Sequence, residues 1–161
     1  MFSFEKKFFC LLFLHFWLNV FLSSCSDDST KAPELAVTDF ENKKVTLKDF
    51  NKDYNVLVFF SKSCGYCTKL LPEIERIAKK YSSKLHVVFI GTDKKLKESQ
   101  VSKYSKIYNS TVLKDISSIT KYRYKVMGTP ALFLIKDGNI IGTQSGYSNS
   151  LDSFLHPITL K

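Results

Sequence analysis

Five consecutive apolar residues, Val56-Leu57-Val58-Phe59-Phe60, have the branched and aromatic character that predicts a buried strand. Past them the period changes. Leu70, Leu71, Ile74, Ile77, Ala78 and Tyr81 recur at the spacing of one helical face, which predicts a helix reaching about Ser82 with Pro72 inside it. Leu85 to Ile90 predicts a second buried strand. The lysine-rich Lys94 to Ile107 predicts a second helix with Leu96, Val101 and Tyr104 inward, and Asp115 can cap a short helix holding Ile116, Ile119 and Tyr122 on one side. Ala131 to Ile135 and Ile140 to Thr143 predict two strands joined by a tight turn at Asp137-Gly138. A last helix from Ser148 or Ser150 would face Leu151, Phe154 and Leu155 toward the sheet. Ahead of all these, Leu35 to Phe40 and Lys44 to Leu47 alternate around Glu41-Asn42-Lys43 and predict an opening hairpin, followed by a helical turn over Lys48 to Asn51. The order implies an α/β fold with a mixed sheet covered on both faces.

The N-terminus follows a different pattern. Lys6 and Lys7 precede the apolar stretch Phe8 to Leu22, and small Ser23 and Ser24 lead to Cys25, the layout of an export signal over residues 1–24. The stretch, interrupted by His15 and Asn19, is shorter than the roughly 20 residues that span a bilayer, so a retained signal anchor is the weaker reading. Leu22-Ser23-Ser24-Cys25 resembles the bacterial lipobox, which implies lipidation of Cys25 and a membrane anchor, with ordinary secretion as the alternative. Polar residues 25–34 then read as a lipidated tether and residues 35–161 as the folded domain. The expected location is the periplasm or the outer side of a bacterial cell membrane.

Length and charge narrow the picture. At 161 residues the chain can build one domain with a true core but not two. The formal net charge of +9 falls to about +8 without the leader, on lysines scattered along solvated faces. No nucleic-acid recognition motif accompanies them, so nucleic acid is not an expected partner, and a monomer is the simplest state.

Cysteine usage points to chemistry. With Cys10 in the leader and Cys25 lipidated, only Cys64 and Cys67 keep free sulfur chemistry. The Cys64-Gly65-Tyr66-Cys67 motif sits between a strand and a helix, so Cys64 lies near a helix start, where unpaired N–H groups and the dipole stabilise a thiolate. That arrangement suits dithiol-disulfide exchange, with Cys64 attacking and Cys67, one turn deeper, resolving the adduct. Lys62 reads first as a solvated loop lysine, with added positive potential near Cys64 as the lesser reading. Such a pair needs no cofactor beyond its own disulfide, and its resting state depends on a redox partner.

The strand, the C-x-x-C at a helix start, Pro72 eight positions after Cys64, and Gly128-Thr129-Pro130 before a hairpin together resemble the thioredoxin superfamily over about residues 35 to 161. The resemblance implies a three-layer fold with a mixed central sheet flanked by helices, here with an extra N-terminal β-hairpin. It also implies a cis Pro130 against the cysteine pair, with Thr129 presenting backbone to a bound peptide beside Gly65 and Tyr66. The leader, hairpin and cysteine layout are most similar to membrane-tethered TlpA/ResA-type thiol-disulfide reductases, including those of cytochrome c maturation. By that resemblance the clients are exported disulfide-bearing proteins, apocytochrome c among them, and the electron donor is a membrane thiol reductase of the DsbD or CcdA type.

Three positions depart from the pattern. Ser63 stands where tryptophan usually precedes the first cysteine, Leu70 where some members place a glutamate, and Val58 where cytosolic thioredoxins bury an aspartate. The Gly65-Tyr66 pair and Thr129 are similar instead to DsbC-type isomerases, so an isomerase or a DsbA-type oxidase is the alternative. From another class, a metal-binding carrier would need ligands beyond two thiolates. His86, His156 and Met127 are the candidates, each read as structural or exposed, with Met127 read as core filling. No metal site is therefore expected.

Overall fold

The computed structural model describes residues 30–159 of the chain; the leader, Cys25 and the first part of the tether lie outside the described residues. Seven strands form one mixed sheet: β1 (Val37–Thr38), β2 (Lys44–Val45), β3 (Tyr54–Phe60), β4 (Leu85–Gly91), β5 (Ser110–Asp115), β6 (Ala131–Lys136) and β7 (Asn139–Ser145). Their order across the sheet is β2-β1-β5-β4-β3-β6-β7, with β3, β4 and β5 parallel and the outer strands antiparallel to their neighbours. Every residue of β3 is buried, as a central strand covered on both faces must be.

Alternation along β3 divides the core in two. Val56, Val58 and Phe60 face the layer that holds helix α1 (Gly65–Lys80), short α2 (Ser102–Ser105) and the C-terminal α4 (His156–Thr159). Leu57 and Phe59 face the opposite layer, where Val88, Ile90, Tyr124 and Val126 pack beside α3 (Ile119–Arg123). The inward stripe of α1 is Cys67, Leu70, Ile74, Ile77 and Ala78, at the three- and four-residue spacing seen in the sequence. Each fully buried leucine or isoleucine on it is worth roughly 1.5–3 kcal/mol of burial. The helix runs through Pro72 to Lys80.

Four features differ from the sequence reading. Strand β5 was not expected, because Ser110-Thr111-Val112-Leu113-Lys114-Asp115 offers only two adjacent apolar residues and is fixed by β4 on one side and β1 on the other. The helix expected over Lys94 to Ile107 is a 3₁₀ turn at Glu98–Gln100 followed by α2, although Leu96, Val101 and Tyr104 are buried as read. Ser105 Oγ bonds to the Ser102 carbonyl there, one of the local side-chain bonds that compete with a longer helix. The carboxylate of Asp115 does hold the Thr120 and Lys121 N–H groups, at 2.9 and 2.8 Å, but across a loop with Ser117 and Ser118 in left-handed backbone, so Ile119 and Tyr122 face solvent. The last helix is only α4, with Leu151, Phe154 and Leu155 buried from the turns before it.

Lys31 to Glu34, the end of the segment read as a tether, are bound to the domain. Lys31 bridges to Asn139, Ala32 N–H donates to the Gly138 carbonyl, and the Pro33 carbonyl accepts from Tyr124. At the other end of β6, Asp137 and Gly138 take positive φ, the pair a tight two-residue hairpin turn requires.

Candidate active site

The site is assembled by register. Strands β3 and β6 pair antiparallel with Phe59 opposite Ala131, and the same register carried past the strand ends sets Ser61 opposite Thr129. The two hydroxyls lie 3.5 Å apart. Thr129-Pro130 is therefore delivered to the loop that follows β3, and the Thr129–Pro130 peptide is cis. Pro130 is buried, and its carbonyl accepts from Gly146 N–H at 2.8 Å, which ties this segment to the far end of β7. Among the described residues no main-chain partner binds the N–H or carbonyl of Thr129.

Beyond β3 the chain turns through Ser61 to Cys64, whose N–H donates to the Ser61 carbonyl at 3.1 Å. Cys64 is the N-cap of α1, in extended backbone, and its Sγ accepts from Cys67 N–H at 3.0 Å. A sulfur takes the place that an oxygen of Ser, Thr or Asp fills at an ordinary cap, so negative charge developing on it meets a backbone donor and the positive end of a four-turn helix. Cys64 and Cys67 are joined by a disulfide, with Cα atoms 5.2 Å apart. Their exposures differ: Cys64 is half-buried and Cys67 is 3% exposed within the core cluster. An incoming sulfur can reach the first and not the second.

Among the described residues, the core cluster beneath the pair contains no carboxylate. Val58 and Leu70, the positions at which the resemblance implies an acid, are both buried in the same cluster as Cys67. Tyr104 packs its ring 4.0 Å from that of Phe60 in this cluster, and among the described residues its buried hydroxyl makes no hydrogen bond. Burial pushes the Tyr104 phenol up, eased only in part by the nearby Thr68 hydroxyl, which already accepts from Lys103 Nζ.

Several contacts around the pair had no sequence signal. Tyr66, between the cysteines, stacks on Tyr147 with ring centroids 5.8 Å apart, a contact made by the loop after β7. Lys69 Nζ lies 5.3 Å over the Tyr66 ring. Asp93, just past β4, accepts the Lys62 N–H at 2.8 Å; a polar residue at the carboxyl end of a parallel strand is the one clue that could have found it. Met127, read as core filling, is 96% exposed on the approach to the cis peptide, because its neighbour Val126 takes the inward position. His86 is half-buried in β4 between Asn109 and Thr111, stacked on Phe50, and His156 is exposed. Among the described residues no three His, Cys, Asp or Glu side chains gather as a metal site, and no helix is long and apolar enough to cross a membrane. Surface hollows lined by Tyr54, Lys84 and Lys136 open at the other end of β3.

The mixed sheet and the Cys64–Cys67 disulfide at the start of α1 make the chain a thioredoxin-fold thiol-disulfide oxidoreductase. The chain belongs to the AhpC/TSA family, whose pattern matches residues 29–143. It is 35% identical over 136 residues to the thiol-disulfide oxidoreductase ResA of Bacillus cereus, covering 80% of this chain and 77% of that protein. Among solved structures it is similar to a Chlorobium tepidum protein assigned as the thiol:disulfide interchange protein DsbE, with TM-score 0.67 and 25% identity over 81% of this chain and 94% of that one. The exposed lipoprotein thioredoxin of Streptococcus pneumoniae shares the fold, with TM-score 0.63 and 22% identity over 80% of this chain and 100% of that one. The chain is an enzyme of the ResA/DsbE type.

Proposed function

We propose that this protein is exported, anchored by lipid on Cys25, and reduces disulfides in other exported proteins. The observation that carries the direction of attack is the difference between the two sulfurs: Cys64 is reachable and capped onto the helix, while Cys67 is enclosed. In the reduced protein the Cys64 thiolate attacks one sulfur of a client disulfide. The client's other sulfur leaves as a thiolate and takes a proton, and a mixed disulfide links Cys64 to the client. Cys67 then loses its proton and attacks Cys64 Sγ, which releases the client's second thiol and forms the Cys64–Cys67 disulfide. Two electrons have passed to the client. A membrane thiol reductase of the DsbD or CcdA type would restore the dithiol, and apocytochrome c is a fitting client.

Thr129 and Pro130 serve in this reading as the edge on which the client strand lies, with Gly65 and Tyr66 forming the opposite lip; the unpaired main-chain groups of Thr129 support it. The anchor reading rests on Leu22-Ser23-Ser24-Cys25 at the end of an apolar segment. The test is a Cys67→Ala variant in cells. It should accumulate mixed disulfides with exported proteins through Cys64, and Cys25→Ala should release the protein from membranes. Reduction of a disulfide-bonded client by the wild type supports the reductase, whereas reactivation of a scrambled client without net reduction would make it an isomerase.

A further inference from the structure

Three lysines stand close to the cysteine pair, in the chain or in space. The three ion pairs among the described residues, Glu73–Arg76, Arg76–Asp152 and Glu75–Lys79, all lie further along α1. Nearer the sulfurs, Lys62, Lys69 and Lys103 are exposed and, like most lysines among the described residues, have no anionic partner there. Lys103 Nζ donates to Thr68 Oγ1 at 2.7 Å, one residue past Cys67, and Lys69 Nζ sits 5.3 Å over the Tyr66 ring. Asp93 is the acid that approaches this face, and its Oδ2 accepts the Lys62 backbone N–H. Beneath Lys69 lies a flat apolar surface: Tyr66, 60% exposed, stacked on Tyr147 at an interplanar angle of 29°.

We propose that this face selects acidic clients: carboxylates flanking the client's disulfide lie on Lys62, Lys69 and Lys103, and an apolar or aromatic neighbour lies on the Tyr66–Tyr147 shelf. The inference rests on the reading of Cys64 as the attacking sulfur. Like charges gathered without counter-ions repel one another in the free protein, and an acidic segment relieves that repulsion while steering the encounter. The occupant is a polypeptide because Lys62, Tyr66 and Lys69 all lie within five residues of Cys64 along the chain; an anionic bilayer seated here would cover Cys64 and supply no disulfide. The aromatic stack fixes the shelf in advance, so binding costs little ordering of Tyr66.

The experiment follows the reduced protein reacting with three peptides that share one disulfide and differ only in acidic, neutral or basic flanks. At low salt, where charges act over about 30 Å, the acidic peptide should react about tenfold faster than the basic one; near 1 M salt, where the range is about 3 Å, the rates should converge to within about twofold. A Lys69→Glu, Lys103→Glu double variant should invert the order. Any change the substitutions make in the reactivity of Cys64 is common to the three peptides, so the rate ratio is read. Equal rates at low salt in the wild type would overturn the proposal and leave the reductase reading intact, whereas failure to reduce any peptide would overturn that reading. Protection of Cys64 from alkylation by phosphatidylserine vesicles, with no peptide preference, would also overturn it.

Discussion

Tyr104→Phe should stabilise the protein, the reverse of what most core substitutions do. The ring is 1% exposed and packs on Phe60 and Phe89, with centroid distances of 4.0 and 5.1 Å, and both contacts survive in phenylalanine. What disappears is a buried hydroxyl that makes no hydrogen bond among the described residues and has only the Thr68 hydroxyl, already bound to Lys103, nearby. Leaving such a group unpaired costs roughly 1–3 kcal/mol, so removing it should add about 1 kcal/mol after small losses in dispersion. For a domain of about 130 residues this is a rise of about 4 °C in Tm. Urea unfolding of the oxidised protein should show a higher midpoint with an unchanged slope. A loss of 1 kcal/mol or more would mean that the hydroxyl is paired and that the apolar account of the site's floor is wrong.

Burial raises the phenols of Tyr104 and Tyr124 above the ordinary value of 10.0. An unfolded tyrosine ionises near pH 10 while the buried one stays neutral, so this contribution is complete below that pH and is lost as pH rises above it. Tyr124→Phe should flatten the alkaline limb of a stability-against-pH curve while costing about 1 kcal/mol at neutral pH, since Tyr124 Oη donates to the Pro33 carbonyl at 2.9 Å. The Glu73 carboxylate is held below its ordinary 4.5 by hydrogen bonds from Arg76, aided by Leu151 N–H. Its contribution is present above about pH 4.5 and fades as pH falls through the lowered value, so Glu73→Gln should cost about 1 kcal/mol at neutral pH and little in acid, read by chemical unfolding at several pH values. At Gly91, a methyl group would run into Leu96 Cδ2 and come within 3.2 Å of Phe60 Cζ; Gly91→Ala should cost about 1–3 kcal/mol in the same assay.

The parts of the fold that were legible in the sequence are those whose side chains decide them locally. Strand β3 is a continuous apolar run because both of its faces are covered, and α1 shows its stripe because one face is buried for four turns. The Asp137-Gly138 turn is written in residues that tolerate positive φ. Strand β5 was not legible, since partners distant in sequence fix it: Val112 and Leu113 pair with Phe89 and Ile90. At the site, the cysteines and Gly128-Thr129-Pro130 could be found by motif. The Tyr66–Tyr147 stack and the Lys103–Thr68 bond could not, because each joins surface residues brought together only by the completed sheet.

The division of labour between the two sulfurs is the central claim, and alkylation measures it directly. The reduced protein, treated briefly with substoichiometric iodoacetamide and mapped by peptide mass spectrometry, should carry the label on half-buried Cys64 and almost none on enclosed Cys67. Preferential labelling of Cys67, or equal labelling of both, would contradict the assignment of Cys64 as the nucleophile and Cys67 as the resolving thiol.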